Sequence, residues 1–253
     1  MSIDLFRSPT EVKQWRYRQK DLSVGFVPTM GALHEGHLSL VERSMRENDK
    51  TVVSIFVNPT QFNDPKDLKA YPTQLETDLE LLKALEVDLV FSPEEKDVYP
   101  DSYRFKLSEN QDSKLLCGAD REGHFDGVLT VVMKLFHIVN PTHAYFGEKD
   151  YQQLSLISDM AKAFFMDVKV VGCPTFRSRE GLALSSRNER LSTQARAKAP
   201  NFAKILQSAP SIDEARAELD AQGFEVVYLD QLWNRRFGAV KLEDVRLIDN
   251  VAL

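Results

Sequence analysis

The sequence predicts an α/β protein in which helices cover both faces of a parallel β-sheet and a small α+β domain follows. Short apolar segments alternate with amphipathic ones as far as Cys173-Pro174, and strand and helix in turn are typical of a parallel sheet. Beyond that point the helical segments become alanine-rich. The length of 253 residues, 43% of them hydrophobic, is enough for one large domain and a second small one.

The elements of the first part follow from their apolar patterns. Residues 24–27 indicate a buried strand, and 36–48 indicate a helix with Leu38, Val41 and Met45 on its inner face. Downstream, the same patterns predict strands at 51–57, 88–91, 144–146 and 168–172, helices at 75–85, 125–139 and 151–164, and a possible edge strand at 103–107.

The second part begins near Phe176. Alanine-rich helices are predicted at 192–207 and 211–222, and short strands around 224–229 and 240–248. We therefore expect a Rossmann-like domain over residues 1–176 and a small α+β carboxy-terminal domain over residues 177–253.

The composition argues against several classes of protein. A net charge of −6 without a basic block disfavours a nucleic-acid surface, and the longest apolar-looking stretch, 128–139, is too short to span a membrane. Cys117 and Cys173 are far apart, which fits a reducing cytoplasm better than a disulfide framework. We expect a cytoplasmic protein whose partners are small molecules, with neither nucleic acid nor membrane among them.

A histidine pair follows the first predicted strand. His34 and His37 stand three residues apart at the start of the predicted helix, so both lie on one face. Backbone N–H groups and the helix dipole attract anions there, and two imidazoles add donors for charge that moves onto a pyrophosphate leaving group. The spacing also suits ordinary polar surface or half of a metal site. With five histidines and two cysteines in the chain, no further zinc-ligand cluster accompanies the pair.

Polar residues also follow two later strands. In a parallel sheet, ligands bind beyond the carboxyl ends of the strands. Asn58 and Gln61 follow the strand at 51–57 and offer uncharged hydrogen bonding to a hydroxy acid, whereas Lys149 follows the strand at 144–146 and can contact a phosphate. Turn chemistry for the two amides, and a solvated loop for residues 147–150, remain the alternatives.

A third polar segment lies just beyond the predicted domain boundary. Ser185, Ser186 and Arg187 combine two hydroxyls with a guanidinium that can bind nucleotide phosphates, and Gly181 gives the segment freedom to close as a lid. The alternative is that Ser185 or Ser186 only caps a helix.

Together these segments resemble a known superfamily. The sequence PTMGALHEGH at 28–37 resembles the HxGH signature of the nucleotidylyl transferases, and LSSR at 184–187 stands where that superfamily has its second, mobile phosphate-binding motif. Within the superfamily, the chain is similar to the pantothenate synthetases, which are pantoate:β-alanine ligases. The similarity covers nearly the whole chain, with matching segments at 57–62, 121–128, 146–153, 181–188 and 246–250.

The resemblance implies an ATP-dependent amide ligase. Pantoate would attack the α-phosphorus of ATP and release pyrophosphate, and β-alanine would then displace AMP from the pantoyl adenylate to give pantothenate. Mg²⁺ would accompany ATP, with Asp78 near it. Because members of the family pair through the large domain, a homodimer is expected.

The resemblance also implies roles for individual residues. Those expected to take part in catalysis are His34, His37, Lys149, Ser185, Ser186 and Arg187, with His37 the best candidate for stabilising the leaving group. Those expected to bind ATP are Pro28, Thr29, Met30, Gly31, Ala32, Leu33, His34, Glu35, Gly36, His37, Gly147, Glu148, Lys149, Asp150, Phe176, Leu184, Ser185, Ser186 and Arg187. Those expected to bind pantoate or β-alanine are Asn58, Gln61, Arg121, His124 and Gln153.

Two positions depart from the family pattern. Arg121-Glu122-Gly123-His124 stands where Arg-Pro-Gly-His is common, and Thr77 occupies a position that is often acidic, so the metal would rest on Asp78, waters and phosphates. An adenylyltransferase of the same superfamily is the alternative function. Such an enzyme would keep AMP in its product and would not need both Gln61 and Gln153.

Overall fold

A computed structural model describes residues 3–253, and the strands of this part of the chain form two β-sheets. In chain order the strands are β1 (Asp4–Phe6), β2 (Val24–Thr29), β3 (Lys50–Ile55), β4 (Leu89–Phe91), β5 (His143–Gly147), β6 (Lys169–Cys173), β7 (Glu225–Leu232), β8 (Arg235–Leu242) and β9 (Val245–Ala252). The first sheet has six strands in the order β1-β4-β3-β2-β5-β6, all paired in parallel. The second has three antiparallel strands in the order β7-β8-β9.

The helices pack on these sheets. They are α1 (Pro9–Arg18), α2 (Glu35–Glu47), α3 (Pro65–Lys69), α4 (Leu75–Ala84), α5 (Glu95–Val98), α6 (Leu116–Asp120), α7 (His124–Val139), α8 (Tyr151–Ala163), α9 (Thr193–Lys198), α10 (Pro200–Ser208) and α11 (Ile212–Ala221). Within residues 3–253, none of the helices combines the length and the apolar character that crossing a membrane requires.

The parallel sheet is covered on both faces because successive side chains of its central strand point in opposite directions. Phe26 of β2 packs in one core cluster with Phe136 of α7, their ring centroids 6.4 Å apart. Its neighbour Val27 belongs to a second cluster, which contains Val41 of α2 and Leu82 of α4. The predicted α/β fold with a parallel sheet between two helical layers is therefore confirmed.

Helix α7 packs closely against the loop that follows β3. A Cβ atom at Gly127 would lie 2.4 Å from the carbonyl oxygen of Thr60, so only glycine allows this approach. The helix begins after Gly123, whose φ of +76° lies in the left-handed region that favours glycine. Helix α7 thereby holds Gln61 and its neighbours at the carboxyl end of β3.

The carboxy-terminal part has its own sheet and its own core. Phe202 and Leu206 of α10, Leu219 of α11 and Val240 of β8 are buried together in a cluster separate from the two of the parallel sheet. The predicted additional α+β unit is therefore present. The placement of a domain boundary at residue 176 stays a prediction.

Several predicted elements differ from the structure. The predicted helix at 192–207 is divided into α9 and α10, because Pro200 begins a new helix and cannot donate within the preceding one. The predicted strand at 240–248 spans parts of β8 and β9, which turn at Glu243 with a φ of +55°. Helix α2 buries Leu40, Val41 and Ser44, whereas the predicted inner residues Leu38 and Met45 are only half-buried.

The predicted edge strand at 103–107 does not form. Tyr103 has a φ of +61°, which is incompatible with extended backbone, and Phe105 is exposed. Strand β1 instead forms one edge of the parallel sheet, opposite β6, and the sequence patterns predict neither β1 nor α1. Strand β1 has only three residues, and α1 buries only Val12 and Trp15, so the apolar pattern of both elements is weak.

Candidate active site

The predicted site residues converge on a cleft at the carboxyl ends of the parallel strands. The cavity has a volume of about 250 Å³ and lies between the parallel sheet and the segment 174–187. Predicted residues that line it are Pro28, Thr29, Met30, His34, Gly36, His37, Asn58, Gln61, Arg121, His124, Gly147, Lys149, Asp150, Gln153, Phe176, Leu184, Ser185, Ser186 and Arg187. Predicted residues that do not line it are Gly31, Ala32, Leu33, Glu35, Asp78 and Glu148.

The two histidines form a stacked pair at the amino terminus of α2. His34 is the N-cap residue, and its Nδ1 accepts the backbone N–H of Gly36 at 3.1 Å. The Nδ1 of His37 accepts the backbone N–H of His34 at 3.4 Å, and the ring centroids lie 4.0 Å apart. Because both Nδ1 atoms accept, each neutral ring carries its proton on Nε2. The pair therefore has two Nε2–H donors, one on each ring, free to bond a ligand.

The surroundings of both rings favour the uncharged form. Burial and then the nearby charge of Lys149 lower the pKa of His34 to about 4. Burial, followed by the charges of His34 and Lys149, lowers the pKa of His37 to about 3. At neutral pH the pair therefore consists of neutral N–H donors.

The loop between β2 and α2 is held from behind by Asp78. The Asp78 carboxylate accepts the backbone N–H of Ala32 at 2.9 Å and that of Leu33 at 2.8 Å. Gly31 and Ala32 have φ values of +82° and +50°, so the loop makes its turn at these two residues. The carboxylate thus fixes a backbone conformation that would otherwise be unfavourable.

These contacts differ from the metal-binding role expected of Asp78. Its side chain is fully buried, and each carboxylate oxygen already accepts a backbone N–H. Burial raises the pKa of this carboxyl. Residues 3–253 contain no group of three or more acidic, histidine or cysteine side chains that could hold a metal ion. Asp78 therefore does not fit a direct Mg²⁺ ligand.

The amide residues after β3 are joined in a hydrogen-bonded network. The Asn58 amide donates to Oε1 of Gln61 at 2.9 Å, and its Oδ1 accepts the Tyr99 hydroxyl at 2.7 Å. The backbone carbonyl oxygen of Gln61 accepts Nδ1–H of His124 at 2.8 Å, which fixes the proton of that ring on Nδ1. Burial and then the charge of Arg121 lower the pKa of His124 to about 3. His124 is thus neutral and bonds the Gln61 backbone, and its predicted contact with substrate stays a prediction.

Arg121 brings an unpaired cation to the cleft. Its guanidinium donates to the backbone carbonyl oxygen of Gln61 at 3.0 Å and contacts Nε2 of His124 at 3.1 Å. Its neighbours Arg187 and Arg246 pair with carboxylates, whereas Arg121 forms no ion pair with any carboxylate of residues 3–253. Burial, and then the charges of Arg246 and Arg187, lower its pKa. This cation is available to an anionic ligand.

Lys149 and Gln153 line the cleft just beyond the end of β5. A short 3-10 helix, Glu148–Asp150, follows β5 and carries Lys149, and α8 then begins. The Lys149 ammonium lies 3.6 Å from the Asp150 carboxylate, the only acidic partner it has in the described chain. Gln153 lines the cleft, whereas its neighbour Gln152 is buried and bonds the backbone of Cys117, Asp112 and Leu115.

The segment 185–187 reaches the cleft from the carboxy-terminal side. Ser185 caps the 3-10 helix Ser186–Arg190 by accepting the backbone N–H of Arg187 at 3.3 Å. Arg187 pairs with Asp67 of α3 at 2.8 Å. The Ser186 hydroxyl donates to the Tyr71 hydroxyl at 3.3 Å. Ser185 therefore does cap a helix, and it also lines the cleft together with Ser186 and Arg187.

Two of these contacts involve residues that the sequence motifs do not assign to the site, Asp67 and Tyr71. Arg190 also pairs with Asp67, at 3.2 Å, so one carboxylate holds two guanidiniums. Burial acts to raise the pKa of Asp67, but the hydrogen bond and charge of Arg187 outweigh it, and the pKa is lowered. No local pattern marks Asp67, because its partners lie 120 or more residues further along the chain.

This arrangement defines a class of protein: an α/β enzyme with its ligand cleft at the carboxyl ends of a parallel sheet. The sequence model of the pantoate-beta-alanine ligase family matches residues 4–252, and the chain belongs to that family. It is 55% identical over 249 residues to the pantothenate synthetase of Bdellovibrio bacteriovorus, covering 98% of this chain and 99% of that protein. It is 51% identical over 246 residues to that of Legionella pneumophila, covering 96% and 98%.

Solved structures agree with this membership. The pantoate-beta-alanine ligase of Francisella tularensis, complexed with beta-gamma ATP and beta-alanine, superposes with a TM-score of 0.94 at 42% identity, covering 99% of this chain and 97% of that one. The pantothenate synthetase of Thermus thermophilus has a TM-score of 0.92 at 40% identity, with 99% of both chains covered. The chain is therefore an enzyme that ligates pantoate and β-alanine to form pantothenate, as its resemblance implied.

Proposed function

We propose that the cleft binds ATP through the histidine pair, Lys149 and Arg187, and activates pantoate as an adenylate. The observation that carries the proposal is the neutral pair at the amino terminus of α2, with two Nε2–H donors next to the Lys149 ammonium. A helix amino terminus with added donors suits a pyrophosphate leaving group. The complex of the Francisella tularensis relative with beta-gamma ATP and beta-alanine supports the same ligand class.

The first step transfers the adenylyl group to pantoate. One carboxylate oxygen of pantoate attacks the α-phosphorus, and the bond from that phosphorus to the oxygen bridging the β-phosphorus breaks. The electron pair of that bond leaves with pyrophosphate. The Nε2–H groups of His34 and His37 donate to the oxygens on which this charge collects, and Lys149 and Arg187 balance it without proton transfer.

The second step forms the amide. The neutral amine of β-alanine attacks the acyl carbon, the bond from that carbon to the adenylate oxygen breaks, and AMP leaves with the electron pair. The attacking nitrogen releases one proton to solvent water as the amide forms. We assign the β-alanine carboxylate to Arg121, because it is the cleft guanidinium without an acidic partner in the described chain. Arg121→Ala should therefore raise the β-alanine requirement and leave adenylate formation unchanged.

Pantoate itself has hydroxyl groups that need uncharged partners. Gln61 and Gln153 both line the cleft, and Asn58 holds the Gln61 side chain by a hydrogen bond of 2.9 Å. An amide both donates and accepts, so these residues can bind the hydroxyls and the carboxylate of one hydroxy acid. We infer that Gln61 and Gln153 bind pantoate and that Asn58 orients Gln61.

Mg²⁺ would be held by phosphate oxygens and water, since Asp78 is buried behind the loop 30–33. Mg²⁺ often keeps its waters and binds substrate phosphates, where it neutralises charge. We assign to Asp78 the positioning of this loop.

We also infer a cytoplasmic location, because Cys117 and Cys173 are both free thiols, which fits a reducing compartment. We infer a homodimer from membership of the family, and light scattering would measure the mass of the assembly.

The test of this function is exchange of labelled pyrophosphate into ATP. Exchange should require pantoate and proceed without β-alanine, and AMP release should require both substrates. The alternative, an adenylyltransferase, would retain AMP in its product and release none. Exchange that proceeds without pantoate, or AMP release without β-alanine, would contradict the proposed order of steps.

A further inference from the structure

The last segment of the family resemblance, 246–250, has no role in the steps above. It belongs to β9, yet Asp249 and Asn250 are almost completely buried, with 4% and 2% exposure. Buried polar side chains of this kind are usually hydrogen-bonded, so their partners indicate what they hold in place.

Asn250 binds the backbone that carries Lys149. Its Nδ2 donates to the carbonyl oxygen of Glu148 at 2.8 Å and to that of Lys149 at 3.0 Å. Its Oδ1 accepts Nε–H of Arg235 at 2.6 Å. Carbonyl oxygens only accept and a guanidinium only donates, so the orientation of this amide is unambiguous. Both polar ends of the side chain are used.

Asp249 fixes the same strand to the segment that leads to the lid residues. Its carboxylate binds Arg177 through two hydrogen bonds, at 2.5 and 2.9 Å, and also accepts the backbone N–H of Asn250 at 2.8 Å. Arg177 pairs through an isolated bridge with Ala183, just before Ser185. The end of β9 is therefore held on one side by this segment and contacts the Lys149 backbone on the other.

Besides Asn250, the turn that carries Lys149 is held by Arg235, whose guanidinium lies 3.9 Å from the Glu148 carboxylate. Its 3-10 helix has no side-chain cap, and the Lys149 ammonium has only the half-exposed Asp150 as an acidic partner in the described chain. We propose that Asn250 is a positioning residue, which places the Lys149 ammonium against the phosphates by holding the carbonyl groups of Glu148 and Lys149. This inference rests on the proposed role of Lys149 in adenylate formation.

The test is Asn250→Asp, which keeps the acceptor for Arg235 and removes both donors to the carbonyl groups. Pantoate-dependent pyrophosphate exchange at saturating substrates should fall about 10- to 100-fold, because a misplaced group of this kind loses that much rate. The pantoate concentration for half-maximal exchange should not change. Asn201→Asp is the matched control, since the Asn201 amide donates only to Gln222 in the described chain, away from the cleft.

A double-variant cycle separates positioning from a general structural effect. In the Lys149→Ala background, Asn250→Asp should change exchange by less than about twofold, because residues that act as a unit are not additive. If Asn250→Asp does not fold, Asn250→Ala, which introduces no buried charge, serves in the same cycle.

Each outcome has a separate meaning. Full additivity in the double variant, or unchanged exchange in Asn250→Asp while Lys149→Ala is impaired, overturns the role of Asn250 alone. Unchanged exchange in Lys149→Ala overturns the proposed role of Lys149, and the role of Asn250 with it. A loss in Asn250→Asp that disappears in the Lys149→Ala background supports the proposal.

Discussion

Asp78→Asn should distinguish loop positioning from metal binding. The carboxylate accepts two backbone N–H groups, from Ala32 and Leu33, at 2.9 and 2.8 Å. Asparagine offers one oxygen and turns an NH₂ group towards the other N–H, so one charge-assisted bond is lost. Such a bond contributes about 1.5–3 kcal/mol, and the easier burial of a neutral amide offsets part of the loss.

We therefore expect the free energy of unfolding to fall by about 1–3 kcal/mol, which corresponds to a Tm roughly 3–10 °C lower in a chain of this size. Pyrophosphate exchange should fall at least about 10-fold, because the loop next to His34 loses its support. The Mg²⁺ concentration for half-maximal exchange should stay the same. Calorimetry measures Tm, and exchange measured over a range of Mg²⁺ concentrations gives both the rate and the Mg²⁺ requirement.

Glu76→Gln is the matched control, because Glu76 lies on the same helix and is exposed. It makes the same change of charge without touching the loop and should leave Tm and exchange unaltered. A rise of about 10-fold in the Mg²⁺ requirement of Asp78→Asn, with an unchanged Tm, would refute loop positioning and restore the metal-binding role.

The other predictions concern the histidines and Gln153. His37→Ala should lose about 10²- to 10³-fold in exchange, and nitrogen NMR should find His34 and His37 as neutral Nε2–H tautomers down to pH 5; an imidazolium signal at pH 6 would contradict this. Gln153→Ala should raise the pantoate requirement, whereas Gln152→Ala should lower Tm and leave that requirement unchanged. The pKa of His124 is about 3 in the folded chain, whereas a histidine of the unfolded chain has a pKa of about 6.5. As pH falls, the unfolded chain therefore binds this proton first, and the free energy of unfolding declines below about pH 6.5. Urea unfolding should detect a loss of about 2 kcal/mol from this group between pH 7.5 and 5, and His124→Gln should reduce the loss.

The sequence predicted the fold where apolar patterns are strong. β2, α2 and α7 have long buried faces and were located to within a few residues. Strand β1 and helix α1 were missed because three residues, or two buried side chains, make no periodic pattern. The signal present for α1 was its capping box, in which Ser8 and Glu11 bond the helix start.

The candidate site, like the fold, is predictable only in part. Residues at strand ends could be grouped in advance, because the carboxyl ends of parallel strands meet at one edge. The contacts that hold these residues in place could not be predicted. Asp78 bonds residues 45 and 46 positions away, and Asn250 bonds residues about 100 positions away. Contacts between distant parts of the chain leave no mark in local sequence, so the sequence does not predict the loop contacts of Asp78 or the backbone contacts of Asn250.

The pantoyl adenylate is tested most directly by following the oxygen atoms of pantoate. Pantoate labelled with ¹⁸O in its carboxylate should transfer one labelled oxygen to AMP when β-alanine is present, because that oxygen stays on the α-phosphorus when the amide forms. The other labelled oxygen should remain in pantothenate, and mass spectrometry of both products measures the label. Label in inorganic phosphate with ADP as co-product would instead show an acyl phosphate, and would contradict the roles proposed for His34, His37 and Lys149.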